Sequence, residues 1–138
     1  MVDRDVLRRQ AIRVAHHVAR LRARPGVDAR ALSANEDLWQ LVLMDLVQAI
    51  QACIDLATHV VADERLGISS NAAHAFDLLA RAGRIDAPLA QRLAGASGLR
   101  NLIVHQYADL DHGPVLSMLA DGLDDLEAFV AAISRRSP

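Results

Sequence analysis

Arg100, Asn101, His105 and Tyr107 fall together in the segment Arg100-Asn101-Leu102-Ile103-Val104-His105-Gln106-Tyr107. A histidine exchanges protons near neutral pH, and an arginine carries positive charge throughout the physiological range. The pair suits acid–base chemistry on an anionic substrate, provided that the two side chains can meet. On a helix, Asn101 and His105 are four apart and share a face. Arg100 and His105 are five apart, about 140° around the axis. They converge only where the helix ends near His105, or where two copies of the segment face each other. Spacing alone leaves another reading open, a surface arginine beside a histidine satisfied at an interface.

The other reactive residue types carry less. Asp55 and His59 share a helix face, but no third ligand stands at a suitable spacing, so a local hydrogen bond is expected and no metal site. His16 and His17 point two ways around the first helix and are expected to face solvent. His74 reads as a surface residue, His112 as part of a break, and Trp39 as packing in the core or between copies. Cys53 is the one cysteine of the chain, which excludes an internal disulfide. It lies in an apolar helical run and is expected to be a buried structural thiol. No Gly-rich phosphate loop, Cys/His metal spacing or nucleophile elbow occurs, and no cofactor is expected.

The elements that must position these residues follow from apolar periodicity. Leu7, Ala11, Val14, Val18 and Leu21 make one stripe on a first helix from about Asp3 to Arg24, ended by Pro25-Gly26. Ser33-Ala34-Asn35-Glu36 reads as a capping box. It opens a second helix, from about Asn35 to Asp63, that is apolar almost all round and therefore central. One polar stripe survives on it, Asp45, Gln48, Asp55 and His59 with Gln51 at its edge, which is either an interface or one wall of a cleft. Ser69 or Ser70 caps a short third helix through Ala80, with Gly83 just past its end. Asp86 caps a fourth, with Pro88 in its first turn, that runs to about Gln106. Gly95 and Gly98 weaken that helix or admit another backbone. Asp111 can cap a last helix carrying Val115, Leu119, Leu123, Leu126 and Val130. The expected fold is all-α, an up-down bundle of four long helices and one short one in a single domain, residues 1–138.

Composition agrees. At 52% hydrophobic and 3% aromatic, the core must be aliphatic and alanine-rich. The formal net charge of −2 gives no sign of a non-specific grip on nucleic acid. The distribution says more. Eight arginines (4, 8, 9, 13, 20, 22, 24 and 30) stand against three aspartates (3, 5 and 28) up to Ala31, while the C-terminal third leans acidic. The basic helix is either a solvated face or a surface for phosphates or an acidic partner. All 15 basic residues are arginine, so every anion contact can be planar and bidentate. With no signal-like opening and no unbroken apolar stretch near the ~20 residues of a membrane span, a cytoplasmic protein away from the membrane is expected.

The stretch Gly98 to Asp111 resembles the signature of the HepT-like branch of the HEPN superfamily, R-x4-6-H-x-Y, matched by Arg100, His105 and Tyr107. The polar residue that the family favours after the arginine is Asn101 here. The run Ala52-Cys53-Ile54-Asp55-Leu56-Ala57-Thr58-His59 is similar to a second block of the family, in which an acidic residue faces the arginine. The likeness extends from about Asp37 to Phe129. It implies a HEPN-like fold and a metal-independent endoribonuclease toxin, acting as a homodimer whose two motifs form one composite cleft. It also implies a type VII-like toxin–antitoxin pair, whose partner is a small nucleotidyltransferase antitoxin of the MNT type that can attach AMP to Tyr107. On this resemblance His105 does acid–base work on the ribose 2′-OH or the leaving 5′-oxygen, and Arg100 stabilises the phosphorane charge. Asn101 orients His105 or a phosphate, and Asp55 holds Arg100. The competing reading is a non-catalytic HEPN subunit that holds a nucleotide or partner for a nucleotidyltransferase.

Overall fold

The structure, a computed structural model, describes residues 3–24 and 26–135. The described residues form helices and no strand. The elements are α1 (Arg4–Arg22), α2 (Ala29–Ala34), α3 (Glu36–Asp63), α4 (Ala72–Arg81), α5 (Ala87–Gln106), a 3-10 turn (Tyr107–Asp109), α6 (His112–Ser117), a π-helical turn (Met118–Gly122) and α7 (Leu123–Arg135). The all-α bundle is as expected, with one more short helix and an interrupted last one.

Local chemistry explains each start. Asp3 caps α1, accepting from the Asp5 amide at 2.8 Å. Asp28 caps α2, accepting from Ala31. The expected Ser33 capping box does not form, because Ser33 lies inside α2 and Asn35 caps α3 through the Leu38 amide. Asn is as good a cap as Ser, and the extended backbone of Asn35 (φ −139°, ψ 100°) is where the chain turns from α2 into α3. Likewise Asn71, not Ser69 or Ser70, caps α4. The Ser70 amide instead donates to His74 Nδ1 at 3.0 Å, so His74 braces that turn. Asp86 caps α5 with Pro88 in the first turn, and Gly83 (φ +75°) lies one residue beyond the α4 cap, both as expected. Asp111 precedes α6, but its side chain makes no capping bond.

α3 is the central helix, packed against α1, α4, α5 and α7. Leu46, Ala49, Ala52, Cys53, Leu56, Ala57 and Val60 are fully buried along it. It alone among the described helices is long and apolar enough to cross a membrane, yet it forms the middle of the core. Cys53 is buried there as expected, and desolvation pushes its thiol far above its usual pKa, so it is inert as a nucleophile. Phe76 and Phe129 meet edge to face, 5.4 Å between centroids, and close the core between α4 and α7.

The polar stripe on α3 is an interface, because α1 lies antiparallel along it. Arg20 Nε and His17 Nδ1 both reach Asp45 Oδ1, at 2.9 and 2.8 Å. Arg13 spans Gln48 and Asp55 at 2.8 and 3.0 Å, and the Asp3 amide approaches His59 at 3.4 Å. His17 is therefore mostly buried rather than solvent-facing. The expected local Asp55–His59 hydrogen bond is replaced by Gln51 to Asp55 at 2.8 Å. Farther along, Arg22 grips Asp124 and Glu127 on α7, both at 2.6 Å. Much of the charge on the basic first helix thus holds the bundle together.

Lengths decide what is left open. α4 has 10 residues, about 15 Å at 1.5 Å each, and α5 has 20, about 30 Å. The two meet through a short connection, with Ala80 near Ala87 and Ala73 near Ala94 around a shared cleft. Such an antiparallel pair covers only the first half of α5. The second half, which carries the Arg100–Tyr107 segment, projects past it.

Candidate active site

α5 ends at Gln106, whose backbone (φ −139°, ψ 27°) breaks the helix. Tyr107 then opens the 3-10 turn, in which the Leu110 amide donates to the Tyr107 carbonyl at 3.4 Å. The motif therefore stands at a helix terminus. Ile103 is its buried anchor, at 5% exposure. Asn101, Leu102, Val104, His105 and Tyr107 are exposed and Arg100 is half-buried.

The terminus alone does not join the pair. Arg100 Nη1 donates to Asn101 Oδ1 at 3.1 Å, and its buried Nε has no acceptor. Among the described residues nothing hydrogen-bonds the His105 ring or the Tyr107 hydroxyl. Asn101, expected to orient His105, here orients Arg100. Asp55, expected to hold Arg100, is bound instead by Arg13 and Gln51. The reason is geometric: Asp55 lies on the α3 face that α1 covers. An unsatisfied buried donor on Arg100 is costly unless something accepts from it. A guanidinium in that state is prepared for an anion.

Apolar surface surrounds these groups. Gln40, Leu43, Met44 and Val47 of α3 and Ile103, Val104 and Tyr107 line a groove of about 310 Å³. Met44 is 58% exposed, Tyr107 55% and Val104 46%, and Leu41 and Leu102 add to the patch. Sequence reasoning does not single out Gln40 or Met44, since on a helix apolar all round an outward methionine looks like any other apolar position. Trp39 tilts onto His112 with 4.6 Å between ring centroids, so the indole packs α3 against the start of α6. Gly95 and Gly98 have no atom within 4 Å of an added Cβ, so no close approach is made there within one chain. Among the described residues no three His, Cys, Asp or Glu side chains cluster as a metal site.

An all-helical bundle that displays an Arg-x4-His-x-Tyr strip at a helix end is the architecture of HEPN toxins. Structurally the chain is similar to the tri-AMPylated HEPN toxin of Shewanella oneidensis solved in complex with its MNT antitoxin. The TM-score is 0.89 at 28% identity, over 97% of this chain and 100% of that one. The chain belongs to the family described as Ribonuclease HepT-like, whose profile matches residues 14–133. It is 35% identical over 96 residues to the mRNA nuclease HepT of Shewanella oneidensis, covering 70% of this chain and 72% of that protein. It is 33% identical over 96 residues to the tRNA nuclease HepT of Aphanizomenon flos-aquae, covering 69% of this chain and 65% of that protein.

Proposed function

We propose that this chain is the ribonuclease toxin of a HEPN/MNT-type toxin–antitoxin pair, cutting RNA in the cytoplasm without a metal, in a cleft shared by two copies. The observation that carries this reading is the uncovered end of α5. Arg100, His105 and Tyr107 stand there with no described partner beyond Asn101, ringed by exposed Leu41, Met44, Leu102 and Val104. Apolar surface of that kind is suited to burial against a second copy. Such burial brings a second Arg100–His105 strip opposite the first, which satisfies the condition that one helix does not.

The chemistry needs no group from outside. The ribose 2′-oxygen attacks phosphorus, and the bond from phosphorus to the 5′-oxygen breaks. The products are a 2′,3′-cyclic phosphate and a 5′-hydroxyl. One His105 takes the 2′ proton, and the other delivers a proton to the leaving 5′-oxygen. The Arg100 guanidiniums neutralise the added charge on the phosphorane oxygens. Tyr107 is the acceptor for AMP from a nucleotidyltransferase antitoxin. A phosphate-bearing adduct beside His105 blocks the cleft and repels RNA.

The purified protein is expected to cut RNA in EDTA, and His105→Ala or Arg100→Ala to stop it. RNA that stays intact would instead support a non-catalytic nucleotide- or partner-binding subunit. Mass spectrometry after co-expression with an adjacent nucleotidyltransferase should find AMP on Tyr107. An adduct at any other residue would sink the proposed off-switch.

A further inference from the structure

The end of α5 far from the motif carries a concavity of about 480 Å³, where Arg84, Arg92 and Arg135 stand around Ile85, Leu89 and Ala132. Arg84 is 8% exposed. Its Nη2 lies 3.4 Å from Glu64 and 3.5 Å from the Ile133 carbonyl, and its Nε has no acceptor. Arg92 uses Nε to hold Asp125 at 3.0 Å, which leaves its two terminal nitrogens for another partner. Arg135 is exposed at the end of α7, and no described residue pairs with it. The carboxylate that shares this lining, Asp86, is occupied in capping α5 through the Leu89 amide at 2.8 Å. The positive end of the α5 dipole opens at the same place.

The geometry points to a second anion site here, a seat for a backbone phosphate of the RNA strand, remote from the cleavage motif. This rests on the ribonuclease reading. The protein carries a net charge of −2, so its attraction for a polyanion must come from a local patch. The basic first helix does not supply it in full, because Arg13, Arg20 and Arg22 are tied to Asp55, Asp45, Asp124 and Glu127. At Arg84, Arg92 and Arg135 the guanidiniums converge instead on open space large enough for a nucleotide. The apolar floor suits a sugar, and no aromatic ring lines the cavity, so the contact would be independent of sequence. Arg92 and His105 lie on one helix, about 20 Å apart along its axis. A strand of several nucleotides spans that distance.

The test uses the full protein and uncleavable 2′-O-methyl RNAs of about 20 and about four nucleotides, with binding read by fluorescence polarisation. Arg84 is left intact, since removing a buried guanidinium strands Glu64. The double variant Arg92→Gln/Arg135→Gln should keep its melting temperature and bind the longer RNA about ten-fold more weakly. Its salt dependence should fall by about 1.4 in slope, for two phosphate contacts. Binding of the shorter RNA should be unchanged. Asp125→Asn, which breaks the same ion pair but spares the guanidinium, should bind the longer RNA at least as tightly as the wild type. Wild-type affinity in the double variant, or equal losses at both lengths, overturns the proposal. Loss of antitoxin capture with RNA binding intact overturns it too, and assigns the cavity to an acidic protein surface. A wild-type protein that binds the longer RNA preferentially but cuts nothing in EDTA defeats the nuclease reading alone.

Discussion

Two sets of polar residues face each other across the length of this molecule, and they differ in what they touch. Along α3, Asp45, Gln48 and Asp55 are matched by Arg20, His17 and Arg13 within hydrogen-bond distance. At the end of α5, Arg100 reaches only its neighbour Asn101, and no described residue bonds His105 or Tyr107. The residue types are nearly the same in both places: arginine, histidine, carboxylate or amide. What separates architecture from chemistry is satisfaction. A side chain that has found its partner inside the chain holds the fold, and one left without a partner is available to a ligand.

Substitutions should divide along that line, and the division can be broken at either side. The largest effect is expected at the open set: His105→Ala or Arg100→Ala should lower RNA cleavage by about 10²-fold or more. Their urea midpoints should stay within about 0.5 kcal/mol of wild type. A variant that lost activity only by unfolding would erase the distinction. The satisfied set should behave oppositely. Asp45→Ala removes the shared acceptor of His17 and Arg20 and should cost about 2–3 kcal/mol of stability in denaturant titration. The variant that remains folded should cut at the wild-type rate. Gly122→Ala should cost about 1–3 kcal/mol, because an added Cβ would collide with Met118 Sδ inside the π turn. Gly98→Ala, with open space around it, should instead raise the melting temperature through about 0.5–1 kcal/mol of helix propensity. Cys53 should react with a thiol reagent only on unfolding; labelling of the native protein would contradict its burial.

Much of this architecture is legible in the amino-acid sequence itself. Periodicity places the long helices to within a few residues, and the all-round apolar character of the segment from Leu38 to Val61 marks the central one. Asp86, Pro88 and Gly83 announce the borders of α5 and α4 through local backbone chemistry. The short α2 escapes because Ala29–Ala34 is too brief to show a stripe, and without it the cap of α3 is expected at Ser33 rather than Asn35. His17 and Asp55 are misjudged for a different reason. Which face of α3 meets α1 is a tertiary choice, and a basic helix beside an acidic stripe announces the pairing only when the two are considered together. Arg100, His105 and Tyr107 are visible as types and spacing. Their openness is not, since it depends on α4 being half as long as α5.

Apolar periodicity makes the last helix one stripe through Leu119 and Val130. In the structure the π turn at Met118–Gly122 intervenes, and Leu126, Phe129 and Ile133 become the buried set while Leu119 and Val130 sit half-exposed. A π turn holds one residue more than the α-helical turn it replaces. Losing a single codon within it would restore an ordinary helix and swing everything downstream by about 100°, turning Phe129 away from Phe76. The gene can therefore tolerate point changes across much of α7, but a reading-frame-preserving deletion of one residue there would act like the removal of the whole helix.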